Sequence, residues 1–411
     1  MAGFRSWEKL RPWPVYLLAG AIPVSLAATN VAKLLALLFC LAIVAAAMVQ
    51  RRPLPSLRGL WSAPLILLML ALLTLSLAWT SAPTDEALGD IVKYSKLLLI
   101  PAIVLLVRTP REALVALGVY LAVQGFVVLT SWLLYLHVPV FWVPSAPRNS
   151  SATVYSSYLD QSIMTAAFLA LCWHLRGYFP GRRGPWVAMA LALAALVNVL
   201  VMLPGRSGHM AAIAVLSLAL LWALPRRWML AGLLAPVVLV GLAMAVSPQF
   251  NKRLSMAVAE TSAYKTQNDA TTSSGQRLNF WRRALQAIAE KPLYGHGVGS
   301  WNREYRRLEN DNPSPVTAQV RNPHQEYLLW GVHLGVGGVL VFLAFLLALL
   351  RDARAFSPAL RRATVSAVAV LAVACLFNSS LFDALIGEFF CIVLGLLLAF
   401  GRLERPAGPA S

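Results

Sequence analysis

An arginine separates two apolar stretches in the segment Pro204-Gly205-Arg206-Ser207-Gly208-His209. Ser207 is placed to act as the N-cap of the helix that follows, and a helix N-terminus presents free N–H groups and partial positive charge. The guanidinium of Arg206 adds paired donors in a planar fork, which suit phosphate oxygens. Arg206 is therefore a candidate phosphate ligand, and the alternative is a side chain that reaches toward lipid headgroups.

A second arginine lies in a segment with the periodicity of an amphipathic helix, residues 274–290. Trp281 and Ala284 belong to its apolar stripe, and Arg277 lies within about 60° of arc of them. The neighbouring pair Arg282-Arg283 points elsewhere, as expected for solvated side chains. Because an arginine on the packing side of a helix needs an anion, Arg277 is a second candidate phosphate ligand. An ion pair with an acid elsewhere in the chain is the alternative.

A histidine stands directly before an apolar stretch, in Arg321-Asn322-Pro323-His324-Gln325-Glu326. Histidine titrates near neutral pH, so His324 could act as a general base at a membrane boundary. A lone histidine is more often structural than catalytic, and position alone does not separate these two interpretations.

These three residues belong to a chain of 411 residues, of which 59% are hydrophobic and 13% are charged. Soluble domains have about half apolar and a quarter charged residues. The apolar residues occur in blocks of roughly 17–25, the length that a helix needs to cross a bilayer. The composition therefore predicts one all-α polytopic membrane protein.

The net charge of +18 does not indicate nucleic acid, because no nucleic-acid-binding signature accompanies it and the cytoplasmic loops of membrane proteins collect Lys and Arg. All four cysteines lie inside apolar blocks, so disulfides and metal sites are not expected. The basic N-terminus precedes an apolar stretch without a cleavage site, which predicts a first span and not a removed signal peptide.

Twelve spans are predicted. They cover residues 13–29, 31–50, 61–80, 90–107, 112–136, 159–175, 185–203, 209–224, 229–246, 326–350, 363–377 and 384–401. With the N-terminus in the cytoplasm, the basic residues of the short loops fall mostly on the cytoplasmic side, among them Arg58, Arg108 and Arg351. This positive-inside pattern places both termini inside.

The predicted organisation has three parts: residues 1–246 with nine spans, residues 247–325 as a large, partly helical periplasmic loop, and residues 326–411 with three spans and a cytoplasmic C-terminus. The loop carries eleven basic and six acidic residues. Long loops cross a membrane regardless of their charge, so the topology stands. A basic outward loop indicates either an anionic partner or a solvated segment beside anionic lipids.

Several motifs in residues 200–345 resemble the O-antigen ligase family. The family has a long periplasmic loop followed by a His, a small polar residue, nine residues and a Gly; here the pattern is His324-Gln325, nine residues, then Gly335. The loop segments Ser274-Gly275-Gln276-Arg277 and Pro292-Leu293-Tyr294-Gly295-His296-Gly297-Val298-Gly299 are also similar to the family.

The resemblance implies a GT-C-like membrane glycosyltransferase whose essential groups match Arg206, Arg277 and His324. The implied donor is an O-antigen glycan on undecaprenyl pyrophosphate, and the implied acceptor is a sugar hydroxyl of the lipid A-core. It further implies a periplasmic active site in the bacterial inner membrane, inversion at the anomeric carbon, and no metal or other cofactor. Four weaker candidates for substrate binding are Gln325, Tyr294, Trp301 and Lys96; aromatic residues at an interface are otherwise anchors.

Three alternatives remain open. An O-antigen polymerase would use the same lipid-linked donor twice, although the His324 pattern favours a ligase. A protein O-oligosaccharyltransferase would need a polypeptide acceptor and is usually a longer chain. A secondary transporter also fits twelve spans, but transporters bind substrate at the bilayer midplane, often between inverted repeats, whereas the polar residues here cluster on one side.

Overall fold

The computed structural model describes residues 9–50, 57–143, 152–232, 234–309 and 320–404. Within these ranges the regular structure is helical, which confirms the predicted all-α class. The helices are α1 (Trp13–Ala21), α2 (Leu26–Val49), α3 (Ser62–Leu75), α4 (Thr84–Tyr94), α5 (Leu99–Leu106), α6 (Pro110–Tyr135), α7 (Tyr158–His174), α8 (Gly184–Val197), α9 (Arg206–Ala223), α10 (Met229–Gly232), α11 (Ala235–Val246), α12 (Pro248–Gln267), α13 (Ser273–Glu290), α14 (Trp301–Glu309), α15 (Glu326–Ala353), α16 (Pro358–Phe377) and α17 (Ala384–Leu403).

Seven helices in the described part of the chain are long and apolar enough to cross a membrane. They are α2, α6, α8 with its π-helical extension to Met202, α9, α15, α16 and α17. The chain is therefore a multi-pass membrane protein, and the predicted number of twelve spans is not confirmed. Other predicted spans correspond to short or interrupted helices: residues 90–107, for example, divide between α4, a 3₁₀ segment and α5.

Helix α17 lies at the centre of the bundle, and nearly all of its side chains from Ile386 to Phe400 are buried. It packs against α5, α6 and α16. Gly395 permits the close approach of α5, because a Cβ at this position would lie 3.0 Å from Cδ1 of Ile103. Lipid tails are as apolar as the side chains, so close van der Waals packing of this kind stabilises the association of membrane helices.

Helix α15 is broken at Gly335, the glycine that closes the His-Gln motif. Its backbone angles, φ 66° and ψ −156°, are accessible essentially to glycine alone. The break frees backbone groups that would cost several kcal/mol each if they stayed unpaired in a membrane. The segment 292–297 supplies their partners: His296 N–H donates to Val332 O at 2.8 Å, and Val336 N–H donates to Pro292 O at 2.8 Å.

The same segment packs too closely for larger residues. A Cβ on Gly335 would lie 2.4 Å from Pro292 O, and a Cβ on Gly295 would lie 2.6 Å from the amide nitrogen of Gly335. The two glycine-containing motifs are thus halves of one structure, in which residues 292–297 fill the break in α15. This contact fixes the region after α13 against the helix that begins two residues after His324.

We expect Gly335→Ala to lower the free energy of unfolding by about 3 kcal/mol, because alanine is strained at these angles and its methyl group would displace Pro292. The measurement is the thermal unfolding midpoint of the purified protein. Gly337→Ala is the matched control: this glycine lies on the same helix, and its Cβ would meet only Leu293 O at 3.8 Å. Equal midpoints for the two variants would contradict the role of the break.

Helix α13 carries the buried residues Phe280, Ala284 and Ala287 and packs against α15 and α14. Thr272 caps its N-terminus by accepting from Gly275 N–H at 3.1 Å. Arg282 is exposed, as predicted. Arg283, which was expected to be solvated in the same way, is instead held by Glu309, whose Oε1 lies 2.7 Å from its Nε.

Candidate functional site

The N-terminus of α9 packs directly against α7 because two glycines flank Arg206. A Cβ on Gly205 would lie 2.2 Å from Oγ of Ser162, and a Cβ on Gly208 would lie 2.3 Å from Cβ of the same serine. Gly205 is the N-cap, and no side chain caps this helix. The prediction of Ser207 as N-cap is wrong, because Ser207 lies inside the first turn, where its buried hydroxyl accepts from Asn378 Nδ2 at 3.1 Å.

Arg206 extends from this helix end toward the segment after α11. Its Nη1 donates to Ser274 Oγ at 2.7 Å, and its Nη2 lies 3.3 Å from Glu260 Oε2. The Glu260 oxygen also accepts from Ser274 N–H at 3.0 Å. Although burial acts to raise the pKa of Glu260, the hydrogen bonds from Ser274 and the charge of Arg206 keep it below the ordinary value. Glu260 was not predicted; it is an acid in a mostly basic segment.

Arg277 lies on the inner side of α13, as the helical periodicity predicts. Its Nη2 is 3.4 Å from Oδ1 of Asn378, a neutral amide, and no carboxylate is among its hydrogen-bond partners in the described residues. Burial, followed by the charge of Arg206, lowers the pKa of Arg277. Asn378 thus connects Arg277 to the first turn of α9 through Ser207, so the two arginines share one small region.

His324 occupies a turn before α15 in the left-handed conformation, with φ 52°. Its N–H donates to Oδ1 of Asn322 at 2.9 Å. Its ring stacks on Phe280, with 6.0 Å between centroids and 27° between planes, and Phe280 follows Arg277 by one helical turn. Burial, followed by the charge of Arg277, lowers the pKa of His324 to about 4.

Glu326 anchors this turn to the rest of the bundle. It is fully buried and accepts from Tyr94 OH at 2.8 Å and Trp330 Nε1 at 3.1 Å. It also accepts from the backbone N–H groups of Leu381 and Phe382, at 2.9 Å and 3.2 Å. These four hydrogen bonds fix Glu326, the second residue after His324, and so restrain the turn that carries the histidine. The sequence motif alone does not reveal this role of Glu326.

A cavity of about 240 Å³ opens beside both arginines. Arg206, Arg253 and Arg277 line it, together with apolar residues that include Met210, Phe250, Leu254, Leu278 and Trp281. An apolar cavity with convergent guanidinium groups fits an anion that carries an apolar group.

Comparisons with known proteins match the part of the chain that contains the two arginines and His324. A family model described as O-antigen ligase matches residues 191–343, which include Arg206, Arg277 and His324. Residues 191–343 of the chain are thus similar to the O-antigen ligase family. A protein of Haemophilus influenzae described as uncharacterized is 31% identical over 121 residues, or 28% of this chain and 30% of that protein. The matched stretch thus spans under a third of the curated relative's length.

Each of the four weaker candidates for substrate binding has a structural partner. Gln325 is the N-cap of α15, and its Oε1 accepts from Leu328 N–H at 2.6 Å. Lys96 is buried, and its Nζ donates to Asp383 O at 2.7 Å. Trp301 is only 1% exposed and packs edge-on against the ring of Phe280. Tyr294 is exposed and packs edge-on against the ring of Trp79.

One cluster in the described residues has metal-ligand chemistry: ligand atoms of Glu290, His296 and Glu304 lie within 4.8 Å of one another. Arg307 pairs with both carboxylates, its Nε 2.8 Å from Glu304. Although burial acts to raise the pKa of Glu304, hydrogen bonds from His296 and neighbouring side chains lower it to about 2. Because Glu290 ends α13 and Glu304 lies in α14, these ion pairs of Arg307 join the two helices.

The lowered pKa of His324 predicts a flat pH profile. An imidazole must be neutral to accept a proton, and a pKa of about 4 keeps it neutral throughout the neutral range. For a reaction in which His324 is the base, we expect kcat/KM to be constant from about pH 8 to about pH 5.5 and to fall as the pH approaches 4.

An unshifted histidine would lose half of its activity near pH 6.5, so an acid limb there would contradict the buried environment. Thermal unfolding midpoints measured at each pH distinguish protonation of His324 from unfolding of the protein.

Proposed function

We propose that this protein transfers O-antigen glycan from undecaprenyl pyrophosphate to a sugar hydroxyl of the lipid A-core, at the periplasmic face of the bacterial inner membrane. One observation carries the proposal: two guanidinium groups line a single cavity, and a neutral histidine stacks on the helix that bears one of them. The ligase-family match over the same residues supports it.

In the proposed reaction, Arg206 and Arg277 bind the diphosphate of the donor. His324 accepts the proton of the acceptor hydroxyl as its oxygen attacks C1 of the donor sugar. The C1–O bond breaks, and the diphosphate departs on its lipid with its increased negative charge stabilised by the two arginines. Attack from the face opposite the leaving group inverts the anomeric centre. The diphosphate supplies the driving force, so the reaction as proposed needs neither ATP nor a metal ion.

The test is transfer by the purified protein in nanodiscs, supplied with undecaprenyl-pyrophosphate-linked glycan and lipid A-core, in EDTA and without ATP. Glycan joined to the core supports the proposal. Glycan joined only to a second lipid-linked glycan would assign the protein as a polymerase, and joined only to a polypeptide as a protein O-oligosaccharyltransferase. Uptake of a solute into sealed vesicles with no glycan product would indicate a transporter.

A further inference from the structure

One face of α12 forms a wall of the cavity beside Arg206 and Arg277. Phe250, Arg253, Leu254 and Ala257 line the cavity, and their spacing of three and four residues places them on one side of the helix. Thr261 also lines the cavity from α12, and Arg253 is the charged residue among these five. The exposed neighbour Lys252 does not line the cavity.

The charges around this cavity do not balance. Glu260 contacts Arg206, and Arg277 contacts the neutral Asn378. Arg253 is half-buried, and in the described part of the chain no carboxylate lies within ion-pair distance of it. A guanidinium withdrawn from water beside apolar walls is costly unless an anion meets it. The cavity is therefore preorganised for more negative charge than one phosphate oxygen supplies.

The position of Arg253 along α12 indicates which part of a ligand it meets. It precedes Glu260, the partner of Arg206, by seven residues, which is about 10 Å along a helix. α12 begins two residues after the apolar helix α11, so Arg253 lies nearer to the apolar helix than Glu260 does. A long arginine side chain from this level can reach the phosphate that is farther from the sugar and closer to the lipid.

We infer that Arg253 is a third diphosphate-binding residue, which contacts the lipid-proximal phosphate of a polyprenyl diphosphate while Phe250 and Leu254 pack on the adjoining isoprenoid unit. This inference rests on the proposed function and adds to it a basis for selecting diphosphate over monophosphate carriers. Arg206 and Arg277 hold the sugar-proximal phosphate, which is the one that changes charge in the reaction.

The test compares the binding of undecaprenyl diphosphate and undecaprenyl monophosphate to the full-length protein in phosphatidylcholine nanodiscs. Arg253→Gln should weaken diphosphate binding about tenfold, as expected for the loss of a charge-assisted hydrogen bond, and should weaken monophosphate binding less than threefold. Lys252→Gln, a neutralisation of the adjacent exposed cation on the same helix, should leave both unchanged. Inorganic diphosphate should bind the wild type far more weakly than the lipid.

Equal diphosphate binding by wild type and Arg253→Gln would overturn the inference. So would an equal loss of affinity for the diphosphate and monophosphate lipids, or displacement of the bound diphosphate lipid by phosphatidylglycerol. Should Arg253→Gln lower the unfolding midpoint, Arg253→Lys is decisive: it keeps the charge but not the planar fork, and a loss below twofold would count against the inference. Transfer assays on the same preparations keep the two claims apart. Absence of transfer by wild type that binds the donor refutes the proposed function, whereas unaltered binding by Arg253→Gln with intact transfer refutes only this inference.

Discussion

Replacement of His324 by alanine should reduce glycan transfer about a thousandfold, within the range that a positioned general base contributes. The ring is held by its stack on Phe280, and its lowered pKa leaves it neutral and able to accept the acceptor's proton at neutral pH. Without it, the hydroxyl must lose its proton to water. Single-turnover transfer with saturating donor and acceptor measures this step directly.

The left-handed backbone at His324 allows the role of its imidazole as a base to be tested separately from the role of the residue in the turn. Asparagine tolerates this conformation better than most residues, so His324→Asn should keep the unfolding midpoint and still lose transfer. His137 provides a matched control, because it also has a left-handed backbone, φ 59°, and is exposed; His137→Ala should transfer at the wild-type rate. Transfer by His324→Asn at the wild-type rate would end the role of His324 as base.

Local patterns in the sequence were enough to predict the helical class and the inner side of α13. Arg277 follows the same periodicity as Trp281 and Ala284, and the structure places its guanidinium toward the bundle, as this predicts. Periodicity is a property of neighbouring residues, so it needs no knowledge of distant contacts.

The partners of these residues could not be predicted in this way. Glu260 meets Arg206 across 54 residues, and Asn378 meets Arg277 across 101. Nothing local identifies either as a partner. The motif from His324 to Gly335 was recognised as a pattern, but its physical basis, a broken helix filled by residues 292–297, depends on hydrogen bonds between separate segments. The number of twelve spans is not confirmed, and hydropathy, which measures apolar length, does not detect an interruption such as the 3₁₀ segment between α4 and α5.

Arg277→Ala should lower kcat/KM for transfer by two to three orders of magnitude, about the loss seen when one preorganised donor to a developing negative charge is removed. Among the described residues, its guanidinium hydrogen-bonds only to the amide of Asn378, at 3.4 Å, which leaves its charge available for a diphosphate. Arg277→Lys should recover part of the rate, since lysine keeps the charge and loses the paired geometry. Initial rates over a range of donor concentrations measure both effects.

If Arg277 has only a structural role, the expected results differ. Three variants distinguish this structural role from a role in binding the diphosphate. Arg282→Ala removes an exposed arginine from the same helix, which donates to Asn279 at 3.0 Å, and should leave transfer within about twofold of wild type. Asn378→Ala removes the contact that Arg277 makes within the fold, together with the hydrogen bond that Asn378 donates to Ser207. A bond of that length contributes little, so if Arg277 serves the diphosphate, Asn378→Ala should cost far less than Arg277→Ala. If Arg277 merely ties α13 to the end of α16, the two losses should be equal, and both should appear in the unfolding midpoint as well as in the rate.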